Sequence, residues 1–121
     1  MYQVINMFGD FEPWWFLEDW KNDITETREF KTFEEAKEDY LAKWQSMKTQ
    51  FSHFESRSAY LAAFWDEKEL RWCEECVEDL QQYHSILLLR DYELISEDYH
   101  NPELHLSNAV LRQPSSCRLS I

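Results

Sequence analysis

The chain has 121 residues, which suits one domain with a sizeable core, and 17% of them are aromatic, so the core can form without disulfides. Its 24 acidic and 12 basic residues give a net charge of −12, which excludes a broad basic face for phosphate backbones or anionic membranes. A partner with a basic face is expected instead. The start of the chain lacks the pattern of a signal peptide, and no membrane span is predicted, so a cytoplasmic location is expected.

The first third of the chain predicts strands around an aromatic segment. Residues 2–8 are apolar on both faces and predict a buried strand, which Gly9 ends. Gly9 is the only glycine, so turns that need a positive φ are expected at Asn or Asp. Residues 12–20 predict a short strand or an aromatic corner, and the mostly polar residues 24–30 predict an exposed strand.

An amphipathic helix is predicted over 33–49. Thr32 and Glu35 have the spacing of a capping box, in which two side chains satisfy free backbone N–H groups of the first turn. Apolar side chains then recur at steps of three and four residues, which places them on one helical face. They are Phe33, Ala36, Tyr40, Trp44, Met47 and Phe51.

The second half predicts one further helix and more strands. Residues 59–65 form an apolar block whose spacing identifies neither a helix nor a strand. A helix is predicted over 67–80, where apolar side chains again share one helical face. Residues 85–90 predict a buried strand, followed by a short strand that ends near residue 95. The shared helical face consists of Leu70, Cys73, Val77 and Leu80.

The character of the chain changes at about residue 97. Residues 104–121 contain no acid but carry two arginines. We therefore expect a globular domain over 1–96 and a loosely held tail over 97–121. The order of elements predicts an α+β fold, a single small domain with a mostly antiparallel sheet packed against one or two amphipathic helices. The tail residues able to dock on the body are Leu104, Leu106, Val110 and Leu111.

Cys73 and Cys76 form a CxxC pair, which leaves three interpretations open. Two thiolates at this spacing can bind one zinc ion, and His84 is the nearest further ligand. The WCxxC sequence at 72–76 also resembles the redox motif of thioredoxin-like proteins, although the flanking acids disfavour the thiolate that redox chemistry requires. The third interpretation is two small apolar side chains on a helix face. Zinc is the one cofactor considered.

An acidic run and a tryptophan cluster are the candidate partner-binding features. Within 66–79 seven residues are acidic and two are basic, which is typical either of a docking face for a basic partner or of a solvated helix face. Clustered tryptophans can anchor an interface, and otherwise they pack in the core. No carboxylate pair can be placed in a cleft, so no catalytic residue is predicted. The candidate residues are Trp14, Trp15, Trp20, Glu74, Glu75, Glu78 and Asp79.

Four unusual stretches of this sequence carry a resemblance to a known family. They are GDFEPWWFL at 9–17, AAFW at 62–65, WCEEC at 72–76 and QQYHS at 81–85. Together they resemble small uncharacterised proteins of Firmicutes, the domain-of-unknown-function family 1033, over roughly residues 1–95. The resemblance implies a cytosolic bacterial protein of one domain and supplies no reaction. Such proteins are sometimes labelled DNA-binding, which the net charge disfavours.

These observations predict a non-enzymatic protein-interaction or regulatory module. Its expected partner is another protein with a basic face, whereas direct contact with nucleic acid or a membrane is not expected. The alternatives are a zinc-binding module or a thiol redox protein, both through Cys73 and Cys76.

Overall fold

Eight strands, one helix and three short 3-10 turns make up residues 1–108, the part of the chain that a computed structural model describes. The helix, α1, spans Phe33–Gln50, and the 3-10 turns occupy Trp20–Asp23, Glu97–Tyr99 and Pro102–Leu104. The strands are β1 (Tyr2–Gly9), β2 (Ile24–Phe30), β3 (His53–Arg57), β4 (Leu61–Trp65), β5 (Leu70–Cys73), β6 (Glu78–Gln81), β7 (Tyr83–Arg90) and β8 (Glu93–Leu94).

Six of these strands form one antiparallel sheet. Its order is β2-β1-β7-β4-β3, and the short β8 pairs with the end of β7. In the interior of the sheet β1 pairs with β7, with Ile5 opposite Leu87 and Gly9 opposite Tyr83. β5 and β6, which lie between β4 and β7 in the sequence, pair with each other in a separate two-stranded hairpin. The predicted α+β class, one small domain with a mostly antiparallel sheet and a helix, is confirmed.

The helix covers one face of the sheet. Thr32 caps the helix at its predicted start, because its side-chain oxygen accepts from the N–H of Glu35 at 3.2 Å. The Glu35 carboxylate accepts from the Thr32 hydroxyl at 2.9 Å and not from the Thr32 backbone N–H, so only half of the predicted capping box forms. The Trp44 indole N–H donates to Ser56 Oγ of β3 at 2.9 Å, so this buried polar pair is satisfied. The packed residues are Ala36, Tyr40, Trp44 and Met47 of α1 and Val4, Phe54, Ala62, Phe64, Ile86 and Leu88 of the sheet.

The opposite face of the sheet is covered by residues 10–23, called here the pocket segment. Residues 12–20 contain no strand, and they form the aromatic corner that was the other interpretation of this stretch. Because the segment and α1 cover opposite faces, β7 is buried on both sides, which explains its continuous apolar run. The contacts on this face join Trp14, Phe16, Trp20 and Ile24 to Ile5, Met7, Leu61, Leu87 and Leu89.

The predicted helix over 67–80 is wrong, because this stretch folds into the β5–β6 hairpin. The sequence holds a physical reason for the difference. Glu74 with Glu78, and Glu75 with Asp79, would be like-charged pairs one helical turn apart, and such pairs destabilise a helix. The acids of 66–79 are therefore carried by a hairpin and not by a helix face.

The first part of the predicted tail packs against the sheet. Leu104 is buried in the core under α1, whereas Leu106 is 44% exposed. A backbone N–H of β3 donates to the Leu106 carbonyl at 2.7 Å, and another donates to the side-chain oxygen of Asn108 at 2.7 Å. Residues 109–121, with Val110 and Leu111, lie outside the described part, so the division at residue 97 stays a prediction.

Candidate functional site

The two cysteines of the CxxC pair lie at the tip of the hairpin. Cys73 ends β5, and Cys76 lies in the turn that leads to β6. Their sulfur atoms are 3.0 Å apart, and the N–H of Cys76 points at the Cys73 sulfur from 3.4 Å. The structure therefore brings these two predicted residues together, in a turn and not on the helix face that one interpretation required.

His84, the third predicted zinc ligand, has different neighbours. It lies in β7, and its Nε2 is 2.7 Å from a carboxylate oxygen of Glu69. Its ring packs between Phe8 and Phe51, at centroid distances of 4.7 and 4.6 Å. Among residues 1–108 no three His, Cys, Asp or Glu side chains are grouped so that they could hold a metal ion. The described part of the chain thus gives the zinc interpretation no support.

The predicted acidic residues differ in exposure. Glu74 and Glu75 are exposed in the turn, and Asp79 is exposed in β6. Glu78 is half-buried, and its Oε1 has no hydrogen-bond partner among the described residues. Trp72 lies opposite Asp79 and is 54% exposed. Trp72 was not among the predicted partner-binding residues. It is more exposed than Trp15, and tryptophan is enriched among the residues that anchor interfaces.

The three predicted tryptophans divide into two roles. Trp14 and Trp20 are half-buried and pack on the sheet. The guanidinium of Arg57 lies 4.0 Å from the centre of the Trp14 ring, a cation–π contact that helps to hold this ring in place. Trp15, in contrast, is 49% exposed. Two of the three therefore cover the core, and Trp15 remains as a candidate anchor.

The pocket segment encloses a cavity of about 160 Å³ beside Met7 of β1. Phe16 turns the chain there with a φ of 43°, and its ring meets the Trp20 ring edge-on at 5.1 Å. Aromatic rings and carboxylates share the wall, so we call this cavity the aromatic–acidic pocket. It is lined by Met7, Asp10, Phe11, Glu12, Pro13, Trp15, Phe16, Leu17, Asp19, Trp20 and Asp23.

One pocket carboxylate, that of Asp10, has a cationic partner. Arg71 of β5 donates to its two oxygens at 2.9 and 2.6 Å, and Gln82 donates at 2.7 Å. Burial acts to raise the pKa of Asp10, but the hydrogen bonds from Arg71 and Gln82 outweigh burial and lower the pKa. This bidentate contact also ties the hairpin to the pocket segment.

Asp23 lacks such a partner. Within the described residues its carboxylate makes no hydrogen bond or ion pair, and neither does that of Asp19. The pKa of Asp23 is raised by burial and then by the negative charges of Asp10 and Asp19. The carboxylates of Asp19 and Asp23 thus make no ion pair within residues 1–108, and the Lys21 ammonium lies over the Trp20 ring at 5.8 Å from its centre. The negative charge of these two carboxylates favours a cationic ligand.

Gly9 makes room for the Asp23 carboxylate. A Cβ at position 9 would lie 2.8 Å from Oδ2 of Asp23, which is closer than a Cβ approaches other heavy atoms. Gly9 has no positive φ, so the close approach of the Asp23 carboxylate, and not a turn conformation, favours glycine at this position. The single glycine of the chain therefore shapes the pocket.

Four pocket carboxylates were not predicted as site residues. The available signal was that acidic and aromatic residues are both concentrated in 10–23. This composition does not show that the side chains share one cavity, because the segment has no regular structure whose geometry could be inferred. The missed residues are Asp10, Glu12, Asp19 and Asp23.

Comparison with known proteins identifies the family and nothing beyond it. The family described as "Protein of unknown function (DUF1033)" matches residues 1–119, so the chain belongs to that family. The match includes most of the stretch after residue 95, which the resemblance in the sequence left out. No curated protein and no solved structure matches the chain. In the described part, no helix is long and apolar enough to cross a membrane.

Proposed function

We propose that this member of the DUF1033 family is a non-enzymatic protein-interaction module that receives a basic side chain of its partner in the aromatic–acidic pocket. The observation that carries the proposal is the composition of the pocket wall. Trp15, Phe16 and Trp20 line the cavity, and aromatic rings of this kind can attract a cation. Asp19 and Asp23 add carboxylates that have no ion pair within residues 1–108.

The surface around the pocket supports a protein as the partner. Trp15 at the pocket and Leu70 and Trp72 on the hairpin are 49%, 47% and 54% exposed. Tryptophan is enriched among the residues that anchor protein interfaces. Because Arg71 binds Asp10, the hairpin and the pocket are held together and can be presented to one partner.

The charge of the whole chain supports the same kind of partner. A net charge of −12 attracts a basic protein over a distance and repels the phosphate backbone of nucleic acid. We therefore propose a basic protein and not DNA as the ligand. A cytoplasmic location is part of this proposal.

A second candidate function rests on the contact between the two hairpin sulfur atoms. The Cys73 thiol lies 3.0 Å from the sulfur of Cys76, which is disulfide-bonded, and this contact supports thiol–disulfide exchange more than zinc binding, which needs further ligands. Iodoacetamide labelling across a pH series tests this candidate. Rapid labelling below pH 7 would support it, whereas labelling that follows an ordinary thiol, with a pKa of roughly 8.5, would exclude it.

Site-specific photo-crosslinking in cells tests the main proposal. A photoreactive phenylalanine analogue at Glu18, an exposed residue between pocket-lining neighbours, should give adducts with one predominant protein that has a basic face. The same analogue at Leu94, which is 53% exposed on β8 at the other end of the sheet, should not give that adduct.

The pocket itself is tested by Asp23→Asn in the chain that carries the analogue at Glu18. The variant removes a carboxylate of the cavity and keeps the size of the side chain. We expect the adduct to fall at least fivefold, because the partner cation loses its counter-charge. Adducts of equal yield from Glu18 and Leu94, or adducts that Asp23→Asn leaves unchanged, would contradict the proposal.

A further inference from the structure

We infer that the outer edge of β5 pairs, backbone to backbone, with an extended basic strand of the partner protein; this rests on the proposed function, since it concerns the same partner. Hydrogen bonds of the hairpin define that edge. The N–H of Gln82 donates to the carbonyl of Glu69 at 3.0 Å. This bond belongs to the β5–β6 ladder, in which Leu70 lies opposite Gln81. Hydrogen-bonded pairs alternate along an antiparallel ladder, so the backbone N–H and C=O groups of Leu70 and Trp72 point away from β6.

No third strand pairs with this edge in the described part of the chain. Among residues 1–108, Leu70 and Trp72 make no backbone hydrogen bond outside the hairpin. Proteins usually protect an exposed edge with proline, a charged side chain or a covering element. β5 contains no proline, and its one charged side chain, that of Arg71, is held by Asp10. The edge therefore offers free backbone groups to a further strand.

The side chains beside the edge favour a strand with apolar residues at alternate positions. Leu70 and Trp72 lie on the same face of β5, and they are 47% and 54% exposed. The other face of the hairpin turns to the body, because Arg71 binds Asp10 and the opposite residue in β6, Leu80, is buried. A strand paired with β5 would place every second side chain beside Leu70 and Trp72, as when a peptide extends a sheet.

The charge of the hairpin selects a basic strand. Glu74, Glu75 and Asp79 are exposed, and Arg71, one of only two bases within 66–79, is already paired. Opposite charges would attract across the new strand pair, whereas a second copy of this chain would bring the same acids into contact. Because β5 has only four residues, few backbone bonds can form, and the charges must add to the binding.

An NMR titration of the ¹⁵N-labelled full chain with the peptide acetyl-KVRVKVR-amide is the test. We expect the Trp72 indole N–H signal to shift saturably, and the backbone amides of Leu70 and Trp72 to exchange with solvent at least fivefold more slowly in the bound state. Two matched peptides are the controls, and both should bind at least fivefold more weakly. Acetyl-EVEVEVE-amide keeps the alternation and reverses the charge. The basic peptide with every backbone nitrogen methylated keeps the side chains and the charge but cannot pair as a strand.

Leu70→Pro tests the edge from the side of the protein. It removes an N–H that points away from β6, so the hairpin should persist, and the basic peptide should bind at least fivefold more weakly than to Leu70→Ala. An equal effect of the two substitutions in folded protein contradicts the inference.

The peptide results decide the inference even if Leu70→Pro does not fold. An unmoved Trp72 signal, or equal binding of the basic peptide and either control, overturns it. So does a dimer of the free protein that Leu70→Ala disperses, because a second copy would then occupy the edge. The signals of Trp15 and Trp20 report on the pocket separately, so failure at β5 leaves the proposed function standing.

Discussion

Asp10 and Asp23 line one cavity, but their surroundings shift their pKa values in opposite directions. For Asp10, hydrogen bonds from Arg71 and Gln82 outweigh the effect of burial and lower the pKa. For Asp23, burial and the neighbouring carboxylates raise the pKa. An acid whose pKa is lower in the folded state stabilises the fold when ionised, and an acid whose pKa is raised does the reverse.

We predict that Asp10→Asn and Asp23→Asn change stability in opposite directions at pH 7. Asp10→Asn should lower the free energy of unfolding by about 1 kcal/mol or less, since the pair with Arg71 is partly solvated. That loss should fade as the pH falls below 3.8 through the folded-state pKa. Asp23→Asn should raise the free energy of unfolding, and the gain should vanish below pH 3.8, where both states are protonated. Urea unfolding at both pH values measures these effects, and equal signs at pH 7 would contradict the account.

Gly9→Ala tests how closely the Asp23 carboxylate packs. The new Cβ would meet Oδ2 at 2.8 Å, so either the strand or the carboxylate must shift. We expect a loss of about 1 kcal/mol or less in the free energy of unfolding, because the obstacle is the end of a side chain that can rotate away and because alanine is favoured over glycine inside a strand. The same substitution in an Asp23→Ala background should cost clearly less, and an equal cost in both backgrounds would show that Asp23 is not the obstacle.

At the level of helices and strands, the stretches with a regular apolar repeat were predicted correctly. The helix α1 was predicted within one residue at its end, because its apolar positions recur regularly and Thr32 and Glu35 mark its start. The strands over 2–8, 24–30 and 85–90 were also found, with small errors at their ends. In these stretches local pattern and tertiary packing require the same structure.

The hairpin shows why periodicity failed elsewhere. Leu70, Cys73, Val77 and Leu80 fit one helical face by spacing, but a turn interrupts the stretch after Cys73. A turn was hard to recognise, because the chain has no second glycine to mark it. Left-handed φ values fall on residues with side chains, and Asp91 is the only one of the expected type in the described part. These residues are Phe16, Tyr60, Val77, Asp91 and Tyr92.

Replacing Thr32 tests the start of α1. Thr32→Ala removes the oxygen that accepts from the N–H of Glu35, so the free energy of unfolding should fall by about 1 kcal/mol. Thr49→Ala, at the other end of the same helix, removes a hydroxyl that is exposed and should cost much less. Chemical denaturation of both variants checks this, and a smaller loss for Thr32→Ala than for Thr49→Ala would contradict it.

The hairpin turn should be stabilised by a residue that accepts its backbone conformation. Val77 has a φ of 53°, which is unfavourable for a residue with a branched side chain. The side chain is 73% exposed, so it packs against few other residues. Val77→Gly should raise the free energy of unfolding by about 0.5–1 kcal/mol, after the greater chain entropy of glycine is allowed for. Val77→Ala keeps a Cβ and should gain less in the same thermal or urea assay. A gain from Val77→Ala as large as that from Val77→Gly would show that φ is not the cause.

At the scale of the whole molecule, the candidate site depends on contacts that the sequence could not show. The predicted features were the acidic run over 66–79 and the tryptophans of 14–20. The structure places the acidic run mainly in the hairpin and the tryptophans in the pocket segment. What joins these two parts is the pair of Arg71 with Asp10, which lie 61 residues apart in the chain. Net charge led to the hypothesis of a partner with a basic face, which stays a prediction. The fold adds a cavity in which the carboxylates of Asp19 and Asp23 make no ion pair within residues 1–108.

Binding of a cation in the aromatic–acidic pocket can be tested directly by an NMR titration. The ¹⁵N-labelled protein would be titrated with Nα-acetyl-argininamide and, as a matched neutral ligand, with Nα-acetyl-citrullinamide, while the indole N–H signals of the six tryptophans are followed. The account predicts saturable shifts of the Trp15 and Trp20 signals with the arginine compound only. Asp23→Asn should weaken this binding at least fivefold, whereas Glu38→Gln, at an exposed position on α1, should not. Equal responses to the two compounds, or unchanged binding in Asp23→Asn, would contradict the account.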